Sequence, residues 1–208
     1  MLTATQTDLI TEDEYLEGEQ LSDVKHELID GYAYAMAGTS KNHERIAGNA
    51  YRKIGNHLEA SSCEPFGSDM KVKVASNFFY PDVTVVCDDP TDNDYYTESP
   101  VIIVEVLSKS TRRTDQTVKR QNYLQIPSLQ EYLLIEQDIV DIEVLHRNDD
   151  WRGSHYYMGD EFTLNSIGLT LLVEDIYHRV KNDDVAEYLA KKEEEAKQAE
   201  EVLSQENA

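Results

Sequence analysis

The run Val101-Ile102-Ile103-Val104-Glu105-Val106-Leu107 constrains this chain more than any other stretch. Apart from Glu105 it is wholly apolar and mostly β-branched, the composition of a strand buried on both faces. Alternate residues of a strand share a face, so Glu105 points the same way as Val101, Ile103 and Leu107. A carboxylate in that company must meet a cation or a strong hydrogen-bond donor, or else take up a proton.

A second acid stands upstream on a comparable strand. Pro81-Asp82-Val83-Thr84-Val85-Val86 opens on a proline, which is tolerated at a strand's first residue because no ladder donor is needed there. The Asp-, Asn-, Thr- and Pro-rich segment from Asp88 to Pro100 then reads as a loop. If the two strands pair antiparallel across it, counting from the loop sets Asp82 and Glu105 side by side to within one residue of register. Adjacent carboxylates repel, and the remedies are a shared proton or a divalent ion. Oxygen-only ligands select a hard ion, Mg²⁺ or Mn²⁺, and such an ion supports phosphodiester hydrolysis by activating water and neutralising developing charge. The plainer readings are a turn residue for Asp82 and, for Glu105, a salt bridge to a basic neighbour such as Lys119.

The rest of the chain supplies the frame. Thr11-Glu12-Asp13-Glu14 has the spacing of a capping box and predicts a short helix ending by Gly18. His26 to Met36 reads as two strands about an Asp30-Gly31 turn, with Glu27 at the mouth of the hairpin. Between Asn42 and Ala60, Ile46, Ala50, Ile54 and Leu58 recur every four residues, an amphipathic helix with His43 and Glu44 in its first turn. Met70 to Val74 alternates as an exposed edge strand does. Thr114 to Gln125 is helical in pattern, and Glu131–Glu136, Ile139–His146, Trp151–Met158 and Ile167–Val173 read as strands.

Pro81-Asp82 followed by Val104-Glu105-Val106-Leu107-Ser108-Lys109-Ser110-Thr111 resembles the PD-(D/E)XK restriction-endonuclease-like superfamily, and more narrowly its Uma-type family of small bacterial proteins. Glu27-Leu28-Ile29-Asp30-Gly31 and the helix carrying Asp115, Lys119 and Tyr123 are similar to that family too, so the resemblance spans about residues 10 to 180. It implies an α/β fold, a mixed sheet with flanking helices and extra β-hairpins, and a metal site built by Asp82 and Glu105. The superfamily pattern has a lysine two positions after the acid, where this chain has Leu107. In the narrower family the lysine comes from the following helix, which here is Lys119. The catalytic set expected is therefore Asp82, Glu105 and Lys119, with Mg²⁺ or Mn²⁺ on the two acids and either Glu27 or Glu44 as a third ligand. Ser108, Lys109, Arg112 and Arg113 are the expected phosphate holders, through hydroxyl, ammonium and guanidinium donors.

Charge argues the other way. The net charge of −22 opposes a surface that attracts polyanions. Residues 182–208, with three lysines against nine acids, form an acidic helical or disordered tail behind a domain at 1–181, but most of the excess lies outside that tail. Only Lys109 to Arg120, with five basic residues against Asp115, makes a positive island. The expected function is metal-dependent DNA hydrolysis by a cytoplasmic homodimer; the alternative is a nuclease-fold protein that binds nucleic acid or a protein partner without cleaving. No apolar run approaches membrane-spanning length, so no membrane association is expected. Cys63 and Cys87 match neither a disulfide framework nor a zinc pattern, and Cys87 reads as a small buried apolar residue.

Overall fold

The structure is a computed structural model that describes residues 9–91 and 93–206; the expected outer limits of domain and tail, residues 1 and 208, lie outside the described residues. Its helices are α1 (Glu12–Leu21), α2 (Lys41–Leu58), α3 (Arg112–Thr114), α4 (Arg120–Tyr123), α5 (Val173–Ile176) and α6 (Asp183–Glu206), with a π-helical turn at Asp115–Lys119 joining α3 to α4. Strands β1 (His26–Ile29), β2 (Tyr32–Ala35), β3 (Glu64–Gly67), β4 (Lys71–Val74), β5 (Asn77–Phe79), β6 (Val83–Val86) and β7 (Tyr96–Thr97) precede the long β8 (Pro100–Leu107). After it come β9 (Glu131–Glu136), β10 (Ile142–His146), β11 (Gly153–Tyr156), β12 (Glu161–Leu164) and β13 (Leu169–Leu172).

Strand β8 lies inside a six-stranded mixed sheet ordered β11-β10-β9-β8-β6-β3, antiparallel to β6 and parallel to β9. Each of its faces fills a different core. Ile102, Val104 and Val106 join α2's Ile46, Ala50, Ile54 and Leu58, while Ile103 and Leu107 join Phe79, Tyr123, Tyr132 and Leu134. The double-sided burial expected of this strand is thus what the sheet provides, and Glu105 falls on the second face, under the helical segment 112–123. A five-stranded sheet ordered β2-β1-β5-β4-β7 brings the β1–β2 hairpin to the same side. Its turn is formed by Asp30 and Gly31, with φ of 50° and 80°, the left-handed pair that a two-residue hairpin requires.

Several expectations need correction. Helix α1 keeps its capping box but runs through Gly18 to Leu21. Strand β4 is not an exposed edge: the two-residue β7, inside the segment read as a loop, pairs parallel with it, and Lys71, Val72 and Val74 are buried. Strand β12 was not expected at all; Phe162 and Leu164 alternate inward over only four residues, too short a signal to separate from a turn. Cys63 and Cys87 form a disulfide, because the β3–β6 register that pairs Glu64 with Val86 sets the two cysteines opposite each other one step on.

The acidic tail is helical as α6, and its first turns are docked. Val185 packs in the larger core, Asp184 accepts from the Val140 N–H at 2.7 Å, and Tyr188 and Lys192 both reach Glu174. Among the described residues no helix is long and apolar enough to cross a membrane. Since the buried stripe of α2 packs directly on one face of the central sheet, Ile46→Ala, at a fully buried position, is expected to cost about 2–5 kcal/mol, measured as a lowered urea midpoint with unchanged slope.

Candidate active site

The β6–β8 register pairs Val83 with Val104, so one residue further Asp82 stands against Glu105. Asp82 is fixed there by its Oδ2, which accepts the Val106 N–H at 2.7 Å. The His43 Nε2 lies 3.4 Å from the same oxygen. His43 is held in the first turn of α2 by the Ser40 cap, and Ser40 in turn bonds Gln137, whose amide donates to the Leu107 carbonyl at the end of β8.

Glu105 is 3 % exposed, and the structure gives it two donors. Lys119 Nζ lies 3.1 Å and Tyr123 Oη 3.0 Å from its Oε1. The same ammonium is 2.8 Å from Glu27 Oε1 and 3.3 Å from Asp115 Oδ1, so it holds three buried carboxylates at once. Glu27 also accepts the Tyr80 N–H at 3.1 Å. Asp115 and Lys119 both face inward from the π turn, whose wide i→i+5 closure from Arg120 N–H to the Asp115 carbonyl interrupts the α-helical progression.

Charge in this cluster is unbalanced. Glu27, Asp82, Glu105 and Asp115 face one ammonium, with His43 beside Asp82. Burial, only partly offset by Lys119, and then repulsion from Asp115, Asp82 and Glu27 hold the Glu105 carboxyl well above its ordinary range. Asp115 is raised for the same first reason, with the Lys119 ammonium 3.3 Å from its buried Oδ1 only partly offsetting burial. Burial works against the Lys119 charge, but the carboxylates outweigh it and push the ammonium well above the usual lysine range. His43 is likewise raised: burial opposes the shift and its contact with Asp82 overcomes it.

The cluster opens into a cavity of about 410 Å³ lined by Glu27, His43, Asp82, Glu105, Asp115 and Lys119 on one side and by Ser108, Ser110 and Thr111 on another. The last three share hydroxyl contacts of 3.0 Å between Ser108 and each of its neighbours. Of the sequence-derived phosphate holders, Arg112 is in an ion pair with Glu136, while Lys109 and Arg113 are exposed and, among the described residues, have no ion-pair partner. Arg120, counted in the same positive island, pairs with Glu143. Glu27 is inside the cluster; Glu44 is exposed, bonded to Thr39, and does not line the cavity. His43 had no expected role. Stepping three residues back from Ile46 along the buried stripe of α2 would have placed it on the inner face.

The mixed sheets with flanking helices, which here carry an aspartate and a glutamate on neighbouring strands and a lysine over them, match a nuclease-like neighbour in fold. It superposes on the solved chain entitled "Crystal structure of a putative nuclease belonging to DUF820 from Anabaena variabilis ATCC 29413" with a TM-score of 0.68 at 18 % identity, covering 81 % of this chain and 97 % of that one. The chain belongs to the Uma2 family, described as "Putative restriction endonuclease", whose model matches residues 12–174. Two relatives from Synechocystis sp. (strain ATCC 27184 / PCC 6803 / Kazusa) are the "Uncharacterized protein slr1290", 40 % identical over 81 % of this chain and 91 % of its own length, and the "Uncharacterized protein sll1609", 38 % identical over 69 % and 84 %.

A raised carboxyl stabilises the folded state below its unfolded value and loses that contribution as pH rises through the folded one. Asp115 therefore destabilises the fold progressively above about pH 4. Asp115→Asn is expected to reduce the fall in urea midpoint between pH 4 and pH 8 relative to the unaltered protein, with the other acids common to both chains.

Proposed function

We propose that the protein is a metal-dependent nuclease that hydrolyses phosphodiester bonds of DNA. The observation that carries this reading is the pairing of Asp82 with Glu105 across β6 and β8, with Lys119 3.1 Å from Glu105. Among the described residues no three His, Cys, Asp or Glu side chains are arranged around one point as metal ligands; the carboxylates converge on the Lys119 ammonium instead. The donor chemistry nevertheless fits a hard ion. The acids are oxygen donors, and Glu27, Glu105 and Asp115 share one ammonium among them.

In this reading Asp82 and Glu105 hold Mg²⁺ or Mn²⁺, with Glu27 the third acid in reach. The ion supplies an activated water and neutralises charge on the phosphoryl oxygens. Val106 and His43 hold Asp82 Oδ2 from one side, which fixes the carboxylate's orientation. Lys119 supports the attacking water electrostatically. Ser108, Ser110 and Thr111, on the rim of the same cavity, donate to a neighbouring phosphate, and the exposed Lys109 and Arg113 add positive charge beside them.

A specific observation favours the alternative of binding without cleavage: Arg112, Arg120 and Lys119 are all committed to carboxylates, which leaves the positive island with little free charge. The two readings part on one experiment. Plasmid and single-stranded DNA incubated with Mg²⁺ or Mn²⁺ should be cut, and Asp82→Ala or Glu105→Ala should each lower the rate by at least about a hundredfold. Equal cleavage by both variants would sink the nuclease; DNA binding in calorimetry with no divalent-ion binding would establish the alternative.

A further inference from the structure

We propose that Lys119 gates the metal site: its ammonium is the resident cation of the acid cluster, and a divalent ion is accommodated only when that ammonium releases Glu105. This rests on the metal-dependent reading above and adds to it how the site is loaded. Its basis is the place of the ammonium, within 2.8, 3.1 and 3.3 Å of Glu27, Glu105 and Asp115.

An ammonium at hydrogen-bond distance from Glu105 Oε1 and a divalent ion on the same carboxylate would stand a few ångströms apart. In a site as buried as this one their repulsion exceeds thermal energy several-fold. Both of the donors given for Glu105, Lys119 and Tyr123, fall on that one oxygen. Release of Glu105 does not strand Lys119, because Glu27 holds it by the shortest of the three contacts and Asp115 by another from within the π turn. The four-carbon stem of lysine lets the ammonium shift between these acids without backbone movement. Asp115 Oδ1 already has the ammonium at 3.3 Å, the longest of the three contacts, and is positioned to receive it more closely. The same charge that favours the attacking water therefore opposes binding of the ion, so the two effects of Lys119 have opposite signs.

Calorimetric titration with MnCl₂ separates them, using the full chain, Lys119→Met and Lys119→Arg, with DNA cleavage and thermal midpoints read alongside. Lys119→Met should bind Mn²⁺ at least about tenfold more tightly than the unaltered chain while cleaving at least about a hundredfold more slowly. Its thermal midpoint should fall without metal, where three buried carboxylates lose their counter-ion, and recover with Mn²⁺. Lys119→Arg, with a permanent charge on a stiffer head group, should bind Mn²⁺ at least about tenfold more weakly.

If Lys119→Met is unfolded without metal, Mn²⁺-dependent refolding reports the same preference, and absence of rescue overturns the gate. Equal or weaker Mn²⁺ binding by Lys119→Met, or unchanged binding by Lys119→Arg, also overturns it. Those results leave the nuclease reading standing if the unaltered chain binds Mn²⁺ and cleaves. Failure of both the unaltered chain and Lys119→Met to bind Mn²⁺ removes the metal-dependent reading together with the gate.

Discussion

One buried ammonium among carboxylates sets the terms for the centre of this fold. Lys119 holds acids from three separate places: Glu27 from the first hairpin, Glu105 from the central strand and Asp115 from its own helical segment. Removing one partner of a buried ion pair leaves an uncompensated charge, so these elements are coupled electrostatically as well as by packing. The five-stranded and six-stranded sheets share the apolar core of Ile29, Val72, Phe79, Ile103 and Leu107, and Lys119 adds an ionic link between them. Tyr123 and Tyr132 strengthen the junction, the first by donating to Glu105 and the second by donating to the Asp115 carbonyl at 3.2 Å.

The helical segment that carries the ammonium is not regular. Asp115 and Lys119, four apart, would share one face of an α-helix, and the π turn at Asp115–Lys119 widens the spiral between them while both still face the sheet. The Tyr123 ring then continues inward, edge-on to Phe79 and Tyr132 at centroid distances of 5.3 and 5.5 Å. Apolar packing below the cluster excludes water and so strengthens every charge interaction above it.

Much of this was legible in the sequence because it follows from strand periodicity. The two-sided burial of β8, the inward Glu105 and the neighbouring Asp82 need only the period of two and one hairpin-like count. What the sequence did not disclose was three-dimensional in origin. Helical pattern alone cannot reveal a π turn, whereas the i,i+4 spacing that puts Asp115 beside Lys119 on one helix face was there to be read. The positive island is a property of the linear chain only; in space Arg112, Lys119 and Arg120 each meet an acid from a distant strand. Burial of β4 depends on β7, two residues whose parallel pairing leaves almost no periodic signal. The cysteine pair was equally hidden, since its proximity comes from the β3–β6 register and not from its spacing in the chain.

With Leu107 on the strand and Lys119 on the helical segment, positive charge reaches the acid pair from outside the sheet. Two positions after Glu105, on the same face of β8, a lysine would have to rise from a core that Leu107 fills at 1 % exposure. Delivering the charge from above leaves that core apolar and sets the ammonium among Glu27 and Glu105 from the two sheets and Asp115 from its own turn. It also ties the charge to an element that is not itself part of the sheet and is separate from the strands that set the Asp82–Glu105 register. A strand-borne lysine would move only with the acids it serves. Here the acid framework and the charge over it belong to separate elements, which is the arrangement that the gate proposed for Lys119 requires.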